Sequence, residues 1–126
     1  MQKREAKFQT LFNHYVKGVL QKTACYEVKQ TESNSLPFSD VQVHQAEALY
    51  NAKHGVFVHK IPDVGYQNPF DSFSLAGVPA YVVIKYPAFF CLIDIDRFLE
   101  ERDVLSTRKS LTSERAKEIS FCVVTL

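Results

Sequence analysis

The 126-residue chain has no tryptophan, only three cysteines and no long apolar run. Its longest uncharged apolar stretch, Ala88 to Ile93, has the length of a strand, whereas a membrane-spanning helix needs about 20 residues. Cys25, Cys91 and Cys122 form no Cys-x-x-Cys pair, which argues against a zinc site or a disulfide framework. The charged first residues precede no apolar block, so we expect no secretory signal, no membrane partner and a cytoplasmic protein.

Apolar residues make up 46% of the chain, as in ordinary folded proteins. The length predicts one domain over residues 1–126, with a core in 1–105 and a C-terminal helix and strand in 106–126. The net charge of +1 is unevenly spread: residues 1–60 carry +3, residues 61–105 carry −4 and residues 106–126 carry +2. Basic ends around an acidic middle suit a protein that binds a polyanion and a cation.

The N-terminal half has two helical patterns with a strand between them. Apolar residues at spacings of three and four predict an amphipathic helix over 4–20, and β-forming residues predict a strand over 23–31. A second helix is predicted from Asp40 to about His54, with Ser39 as its N-cap. Its expected inner face consists of Val41, Gln45, Ala48, Leu49 and Ala52.

The C-terminal half is dominated by short apolar strands. Strands are predicted over 56–61, 70–75, 80–86 and 89–95, and the almost wholly apolar third one belongs in the centre of a sheet. Asp96 is predicted to cap a short helix, followed by a polar linker over 106–110. A small helix capped by Thr112 and a strand over 121–126 complete an α/β fold with a mixed sheet flanked by helices.

The pair Glu27 and Lys29 is the most informative feature for function. Residues i and i+2 of a strand point to the same face, so a carboxylate and an ammonium stand side by side there. Glu27 can hold Mg²⁺ together with a second carboxylate and the carbonyl of Val28, while Lys29 orients a water for attack on a phosphodiester. A surface ion pair without function is the alternative interpretation of the same two residues.

The residues around this pair resemble the RecU-type Holliday-junction resolvases. Tyr26-Glu27-Val28-Lys29-Gln30-Thr31, then Leu36-Pro37-Phe38, then His44-Gln45 are similar to that family's aromatic-Glu-x-Lys-x-Thr strand, Pro-Phe-type turn and His-Gln helix. Gly77 to Glu101 resembles the family's later strand pair and helix. The resemblance implies a PD-(D/E)XK, restriction-endonuclease-like fold, a Mg²⁺-dependent DNA endonuclease in which Mn²⁺ can substitute, and a bacterial or phage-encoded protein.

One departure from the family concerns the second metal-binding acid. The family places an aspartate on a hairpin just before its Glu-x-Lys strand, and this chain has no aspartate before Asp40. We expect the hairpin to be permuted downstream into residues 56–75, with Asp71 as the second metal ligand and Asp63 as the second choice. Glu5 on the first helix would complete the acid cluster, and Gln45 would either bond in the site or satisfy buried backbone.

A competing register uses Asp71 with Val83-Ile84-Lys85, in the superfamily's usual order. Lys85 would then be the catalytic lysine and Glu47 the acid on the helix. We rank it lower because Val83 would stand where an acid belongs, which leaves the metal short of negative charge. Asp94 and Asp96 are a further pair that could bind a cation or simply cap a helix.

Basic residues near both ends are candidates for DNA contacts that are sequence-independent and salt-sensitive. Because a four-way junction is resolved by two matched incisions, a homodimer acting on branched DNA is the expected assembly. Another repair or phage nuclease, a non-catalytic nucleic-acid-binding module and an unrelated α/β protein are the alternatives. The candidate DNA-binding residues are Lys3, Arg4, Lys7, Thr31, Arg108 and Lys109.

Overall fold

The computed structural model describes residues 3–15, 24–60 and 72–126, and only the backbone at positions 3–6, 14–15, 56–60 and 72–76. The helices in these ranges are Lys3–Tyr15 (α1), Val43–His54 (α2), Ile95–Glu100 (α3) and Ser113–Ile119 (α4), with a 3-10 turn at Phe38–Asp40 and a π-helical turn at Glu101–Leu105. The strands are Cys25–Gln30 (β1), Ser35–Pro37 (β2), Val56–Lys60 (β3), Ser72–Ala76 (β4), Ala80–Tyr86 (β5), Phe89–Asp94 (β6), Ser110–Thr112 (β7) and Cys122–Thr125 (β8).

The main sheet has four strands in the order β1-β5-β6-β8. Strand β1 runs parallel to β5, and the other two pairings are antiparallel. Two smaller antiparallel sheets are formed by β2 with β7 and by β3 with β4. The predicted α/β fold with a mixed sheet and flanking helices is therefore confirmed. Within the described ranges, no helix has the length and apolar character that crossing a membrane requires.

Strand β5 lies in the centre of the main sheet, as its apolar sequence predicts. All its residues except Lys85 are buried, because β1 and β6 flank it and helices cover both faces. Its even-numbered residues, such as Val82 and Ile84, pack with α2, α3 and α4. Its odd-numbered residues Tyr81 and Val83 pack on the other face with α1. This alternation follows from the two-residue period of a strand, and it decides which side chains can meet at a site.

The larger core layer lies between the sheet and helices α2, α3 and α4. Leu49 of α2 and Phe98 of α3 pack there against the buried face of β5 and β6. The hydroxyl of Tyr86 donates a 2.8 Å hydrogen bond to the carbonyl of Leu111, which joins β5 to β7. The predicted polar linker thus leads into a strand that pairs with β2 and is tied to the core.

Helix α1 covers the opposite face with two phenylalanines. Phe8 and Phe12 are buried, and the ring of Phe12 meets the rings of Tyr26 and Phe90 edge-on. Leu11 is one of the apolar residues whose spacing predicts the amphipathic helix, but it is 47% exposed, because the contact with the sheet is narrower than the predicted apolar face. The predicted extension of this helix to residue 20 lies outside the described residues.

The start of α2 differs from the sequence prediction. Ser39 lies in the 3-10 turn, and the helix begins at Val43 with Gln42 as N-cap and a capping box between Gln42 and Gln45. The backbone leaves β2 through that turn, so Ser39 is one turn too early to cap the helix. The predicted end at Gly55 is confirmed, whereas Ala48 is exposed and Ala46 takes the expected inner position.

Of the two helix N-caps predicted in the C-terminal half, one lies two residues earlier than predicted and the other is confirmed. Asp94, rather than the predicted Asp96, caps α3, because its carboxylate accepts a 3.0 Å hydrogen bond from the Asp96 backbone N–H. Thr112 caps α4 as predicted, since its hydroxyl accepts from the Arg115 backbone N–H at 3.2 Å. Strand β8 follows as expected and pairs with β6 at one side of the main sheet.

Candidate functional site

Glu27 and Lys29 lie together on the face of β1 that α2 covers. Their neighbours Tyr26 and Val28 pack on the α1 side, so the alternation of the strand turns Glu27 and Lys29 the other way. The Lys29 Nζ lies 3.4 Å from Oε1 of Glu27, and the two side chains are 16% and 27% exposed. The predicted pairing on one face is therefore confirmed, and both groups are more shielded from water than an ordinary surface ion pair.

The backbone of β1 leaves one edge of this strand open. The N–H of Cys25 donates to the carbonyl of Pro79 at 2.8 Å, and the N–H of Thr31 donates to the carbonyl of Lys85 at 3.0 Å. In a parallel ladder these bonds mean that the backbone N–H and C=O groups of the odd-numbered residues of β1 point toward β5. The backbone groups of the even-numbered residues point away from it. The carbonyl of Val28 therefore points to the outer edge, where no described strand pairs with β1.

Helix α2 brings its first turn to the same end of the sheet as Lys29. The carbonyl of Ala52, near the helix end, accepts from the N–H of Val78 at 3.1 Å, which places that end beside the start of β5. The first turn, with Gln45, therefore lies toward the ends of β1 and β5. Oε1 of Gln45 accepts a 3.0 Å hydrogen bond from the Gln42 backbone N–H. This bond belongs to the capping box and satisfies an exposed backbone N–H, so it is neither the predicted bond in the site nor the predicted satisfaction of buried backbone.

Thr31 follows β1 directly and closes the next turn. Its hydroxyl donates to the carbonyl of Ser35 at 3.0 Å and accepts from the Ser33 backbone N–H at 3.2 Å. These bonds shape the connection from β1 to β2, which gives Thr31 a structural role at the edge of the candidate site. A contact between Thr31 and DNA stays a prediction.

The predicted second carboxylates are not among the described side chains. Asp63 and Asp71 lie outside the described residues, and Glu5 lies in α1 at a position where only the backbone is described. Helix α1 packs on the face of the sheet opposite Glu27 and Lys29. Within the described ranges, no three histidine, cysteine, aspartate or glutamate side chains come together as a metal would need.

The predicted downstream hairpin is present. Strands β3 and β4 pair in an antiparallel register in which Lys60 lies opposite Ser72. In the described residues β3 and β4 form a two-stranded sheet of their own and do not pair with β1, so the expectation that this hairpin takes the place of the family's hairpin beside the Glu-x-Lys strand is not met there.

The competing register does not assemble in this fold. Lys85 lies on the α1 face of β5, in alternation with Tyr81 and Val83. Glu47 is an exposed residue of α2, which packs on the opposite face of the sheet. Because the sheet separates the two side chains, they cannot serve one metal site together.

Asp94 and Asp96 are both held by residues near the end of α2. Lys53 Nζ lies 2.9 Å from both carboxylate oxygens of Asp94 and 2.6 Å from Oδ2 of Asp96, and His54 Nε2 lies 2.8 Å from Asp96. Hydrogen bonds to Asp96 and Asp94 raise the pKa of Lys53. Burial raises the pKa of Asp96, but its bonds with Lys53 and His54 outweigh that effect and the net shift is downward. The pair thus joins α2 to α3.

A buried acid that the sequence analysis did not single out is Glu101 in the π-helical turn. Its side chain is 5% exposed, and its two oxygens accept hydrogen bonds from Nε and Nη2 of Arg115 at 2.9 and 3.0 Å. Nη1 of Arg97 lies 3.7 Å away. The hydrogen bonds from Arg115 lower the pKa of Glu101. The partner is 14 residues downstream, so no local sequence signal indicates the pair.

A basic groove of about 490 Å³ lies beside the first turn of α2. Its floor contains the buried side chains of Phe38 and Val41, and Arg108 and Lys109 stand on its rim. The backbone N–H of Phe38 donates to the carbonyl of Lys109 at 3.0 Å, which fixes the basic segment against the groove. Two predicted DNA-binding residues are therefore neighbours at the end of the sheet where Lys29 lies.

The remaining predicted phosphate contacts are on α1. Lys7 is exposed, whereas Lys3 and Arg4 lie in the first turn, where only the backbone is described. Comparison with known proteins adds no family assignment: no protein-family model matches the chain, and no curated protein matches it significantly.

Proposed function

We propose that this protein is a Mg²⁺-dependent, structure-selective DNA endonuclease, most similar to a Holliday-junction resolvase, on a PD-(D/E)XK fold. The proposal is carried by the shielded pair of Glu27 and Lys29 beside the outward-facing carbonyl of Val28 on an open strand edge. A plain surface ion pair needs neither the shielding nor the free carbonyl. A hydrolytic site at a phosphodiester uses all three groups.

The donor atoms at this edge fit a magnesium ion. Magnesium prefers oxygen ligands and takes one or two carboxylates beside water and phosphate. Glu27 and the Val28 carbonyl would supply two oxygens, and Asp71 would supply the second carboxylate, with Asp63 as second choice. Glu5 would be the remaining acid if the start of α1 reaches this edge. When bound, Mg²⁺ lowers the pKa of water and stabilises charge on the phosphate, as Mn²⁺ also does.

Lys29 supplies the positive charge that the reaction needs on the protein side. Its ammonium is held 3.4 Å from Glu27, so it stands beside the carboxylate that would face the scissile phosphate. From this position it can donate hydrogen bonds to a water molecule and to a phosphate oxygen. It thereby orients the nucleophile and stabilises the negative charge that develops during attack.

The basic groove would hold the DNA backbone next to this centre. Arg108 and Lys109 lie on its rim, and α2 starts there, at the same end of the sheet as Lys29. Lys3, Arg4 and Lys7 on α1 and Thr31 after β1 would add contacts on the other side. Contacts of this kind bind phosphates without reading sequence and weaken with salt.

The proposed substrate determines the expected assembly and location. Two matched incisions at a four-way junction require two active sites, which a two-fold dimer supplies. A cytoplasmic, bacterial or phage-encoded enzyme fits this activity and the reduced cysteines.

Cleavage of branched and linear DNA with Glu27→Gln and Lys29→Met tests the proposal. Each change should lower the cleavage rate by about 100-fold or more, because each removes a group that acts on the transition state. Binding to the same DNA without metal should persist. Glu47→Gln is the matched control: it alters an exposed acid of α2, and it should leave cleavage unchanged. If the wild-type protein cuts no DNA with Mg²⁺ or Mn²⁺, the proposal is refuted.

A non-catalytic nucleic-acid-binding module is the second candidate. Two observations on the described residues favour it. The side chain next to Glu27 is an ammonium group, and no three metal-ligating side chains come together. Calorimetric titration with Mn²⁺ separates the candidates. An enzyme should bind the ion in the wild-type protein and lose that binding in Glu27→Gln, whereas a module with no metal site should show the same heat in both.

A further inference from the structure

A second cavity lies on the opposite face of the sheet from Glu27 and Lys29. It has a volume of about 270 Å³, and its walls are five side chains of α1, β1 and β5. Gln30 and Lys85 lie opposite each other in the register of β1 and β5, and α1 covers them from above. The lining residues are Lys7, Phe8, Leu11, Gln30 and Lys85.

The chemistry of this cavity combines an apolar floor with positive charge. Phe8 is buried below it, and Leu11 is left 47% exposed beside it. Lys7 and Lys85 bring two ammonium groups, and none of the lining residues is acidic. A simple phosphate ion would use the lysines and have no use for the leucine. A ligand with an anionic part and a flat apolar part uses both.

Gln30 adds a specific requirement. Its side-chain oxygen is buried, and it has no hydrogen-bond partner among the described residues. Buried acceptors are normally satisfied, and an unmet one costs free energy in the folded state. This oxygen has almost no accessible surface in the conformation described, so a ligand with an N–H group would bond to it and remove that cost once the amide turns toward the cavity. Nucleobases carry such groups on their edges, and their faces are apolar enough to pack on Leu11.

We propose that this cavity binds one unpaired nucleotide of DNA, with the base on Leu11 and Phe8 and the phosphate on Lys7 and Lys85. The choice of DNA rests on the proposed nuclease function. The base must be unpaired because its hydrogen-bonding edge and faces are hidden inside a duplex. The volume of 270 Å³ lies below the range of about 300–1,000 Å³ typical of drug-sized ligand sites, so the cavity suits a small group such as one base and not a larger ligand.

The position of the cavity links it to the candidate catalytic edge. Gln30 follows Lys29 directly, and the two side chains point to opposite faces of β1. A DNA strand that crosses the open edge of β1 at Lys29 therefore reaches the cavity on the other side. An enzyme with this arrangement would prefer branched substrates that expose an unpaired base next to the cut, such as flaps and tailed duplexes, over a fully paired four-way junction.

Binding measurements in EDTA test this inference without any cleavage. Fluorescence anisotropy compares a duplex that carries a short single-stranded tail with the same duplex whose tail lacks its bases. Both probes have the same phosphates, so the comparison isolates the base. The intact tail should bind more tightly, nearer the lower end of the roughly 5- to 150-fold range expected for a base stacked on an aromatic ring, because the exposed contact here is Leu11 and Phe8 is buried.

Three variants locate the effect. Gln30→Met and Leu11→Ser should each reduce the advantage of the intact tail, whereas Lys85→Gln should weaken binding to both tailed probes. Lys117→Gln removes the same charge from an exposed site on α4 and should preserve the full advantage. Leu11 is half-exposed, so its variant should fold even if the change at Gln30 disturbs the strand; thermal unfolding checks both.

The outcomes separate this inference from the proposed function. Equal affinity for the two probes, or a full advantage that survives Gln30→Met and Leu11→Ser, would overturn the nucleotide site. Base-dependent binding in a protein that cuts no DNA with Mg²⁺ would uphold the site and refute the nuclease. Cleavage of DNA without base-dependent binding would support the nuclease and refute the nucleotide site.

Discussion

Replacing Glu101 with glutamine should destabilise the protein by about 2–3 kcal/mol at pH 7. Removing one partner of a buried ion pair costs about 3–5 kcal/mol. The cost here should be smaller, because glutamine keeps the shape and one acceptor, and because Arg115 is 38% exposed and regains water. At about 3–5 °C per kcal/mol for a chain of this length, the melting temperature should fall by about 10 °C.

The pH dependence of this effect has a definite sign. Arg115 lowers the pKa of Glu101 in the folded state. A carboxyl with a lowered pKa stabilises the fold above its unfolded pKa, about 4.3, and that contribution disappears as the pH falls through the folded value. The stability difference between wild type and Glu101→Gln should therefore be complete at pH 7, begin to close below about pH 4.5 and vanish at lower pH.

Urea unfolding of both proteins at several pH values measures this difference. Glu118→Gln is the matched control, because Glu118 also contacts Arg115, at 2.7 Å, but is 64% exposed. Its loss should cost less than about 1 kcal/mol, as for other surface pairs. The reasoning would be refuted if Glu101→Gln cost no more than Glu118→Gln, or if its cost were the same at pH 7 and at pH 3.

Two further predictions concern the core. Tyr86→Phe removes the 2.8 Å hydrogen bond to the Leu111 carbonyl. It should lower the free energy of unfolding in urea by about 1 kcal/mol with an unchanged m-value. An unchanged free energy would show that the bond between β5 and β7 adds nothing to stability. Burial raises the pKa of the Cys91 thiol to about 11. At pH 8 this thiol should therefore be alkylated far more slowly in the native protein than in urea. Mass spectrometry of the labelled peptides measures the two rates. Equal rates in both states would contradict the burial of Cys91.

Strands β5 and β6 were predictable because their apolar runs are continuous, whereas the short strands β2 and β7 were not predicted. Burial on both faces requires apolar residues at every position, and the pattern of β5 shows this, apart from Lys85 at its end. The pairing of Glu27 with Lys29 followed from the two-residue period alone. Both predictions depend on local sequence, which is why they agree with the structure.

The errors have a different physical origin. Ser39 and Gln42 each offer an acceptor side chain before the same helix, and the 3-10 turn after β2 decides between them. In the same way, Asp94 and Asp96 are two carboxylates near the start of α3, and the local sequence does not show which of them caps the helix. The hydrogen bonds that Arg115 donates to Glu101 and the pairing of β2 with β7 join distant parts of the chain. No local pattern contains that information, so these features need the fold.

The open edge of β1 determines how the candidate centre could be completed. Strand β5 occupies one side of β1, α1 covers one face and α2 the other, so within the described residues the free approach to Glu27 and the Val28 carbonyl is from the outer edge. A second carboxylate and a phosphate would both have to arrive from that side. The β3–β4 hairpin follows α2 and packs against it. Because the side chain of Gln30 lies on the far face of the same strand, a nucleic acid strand that lies along the edge would contact both sites at once.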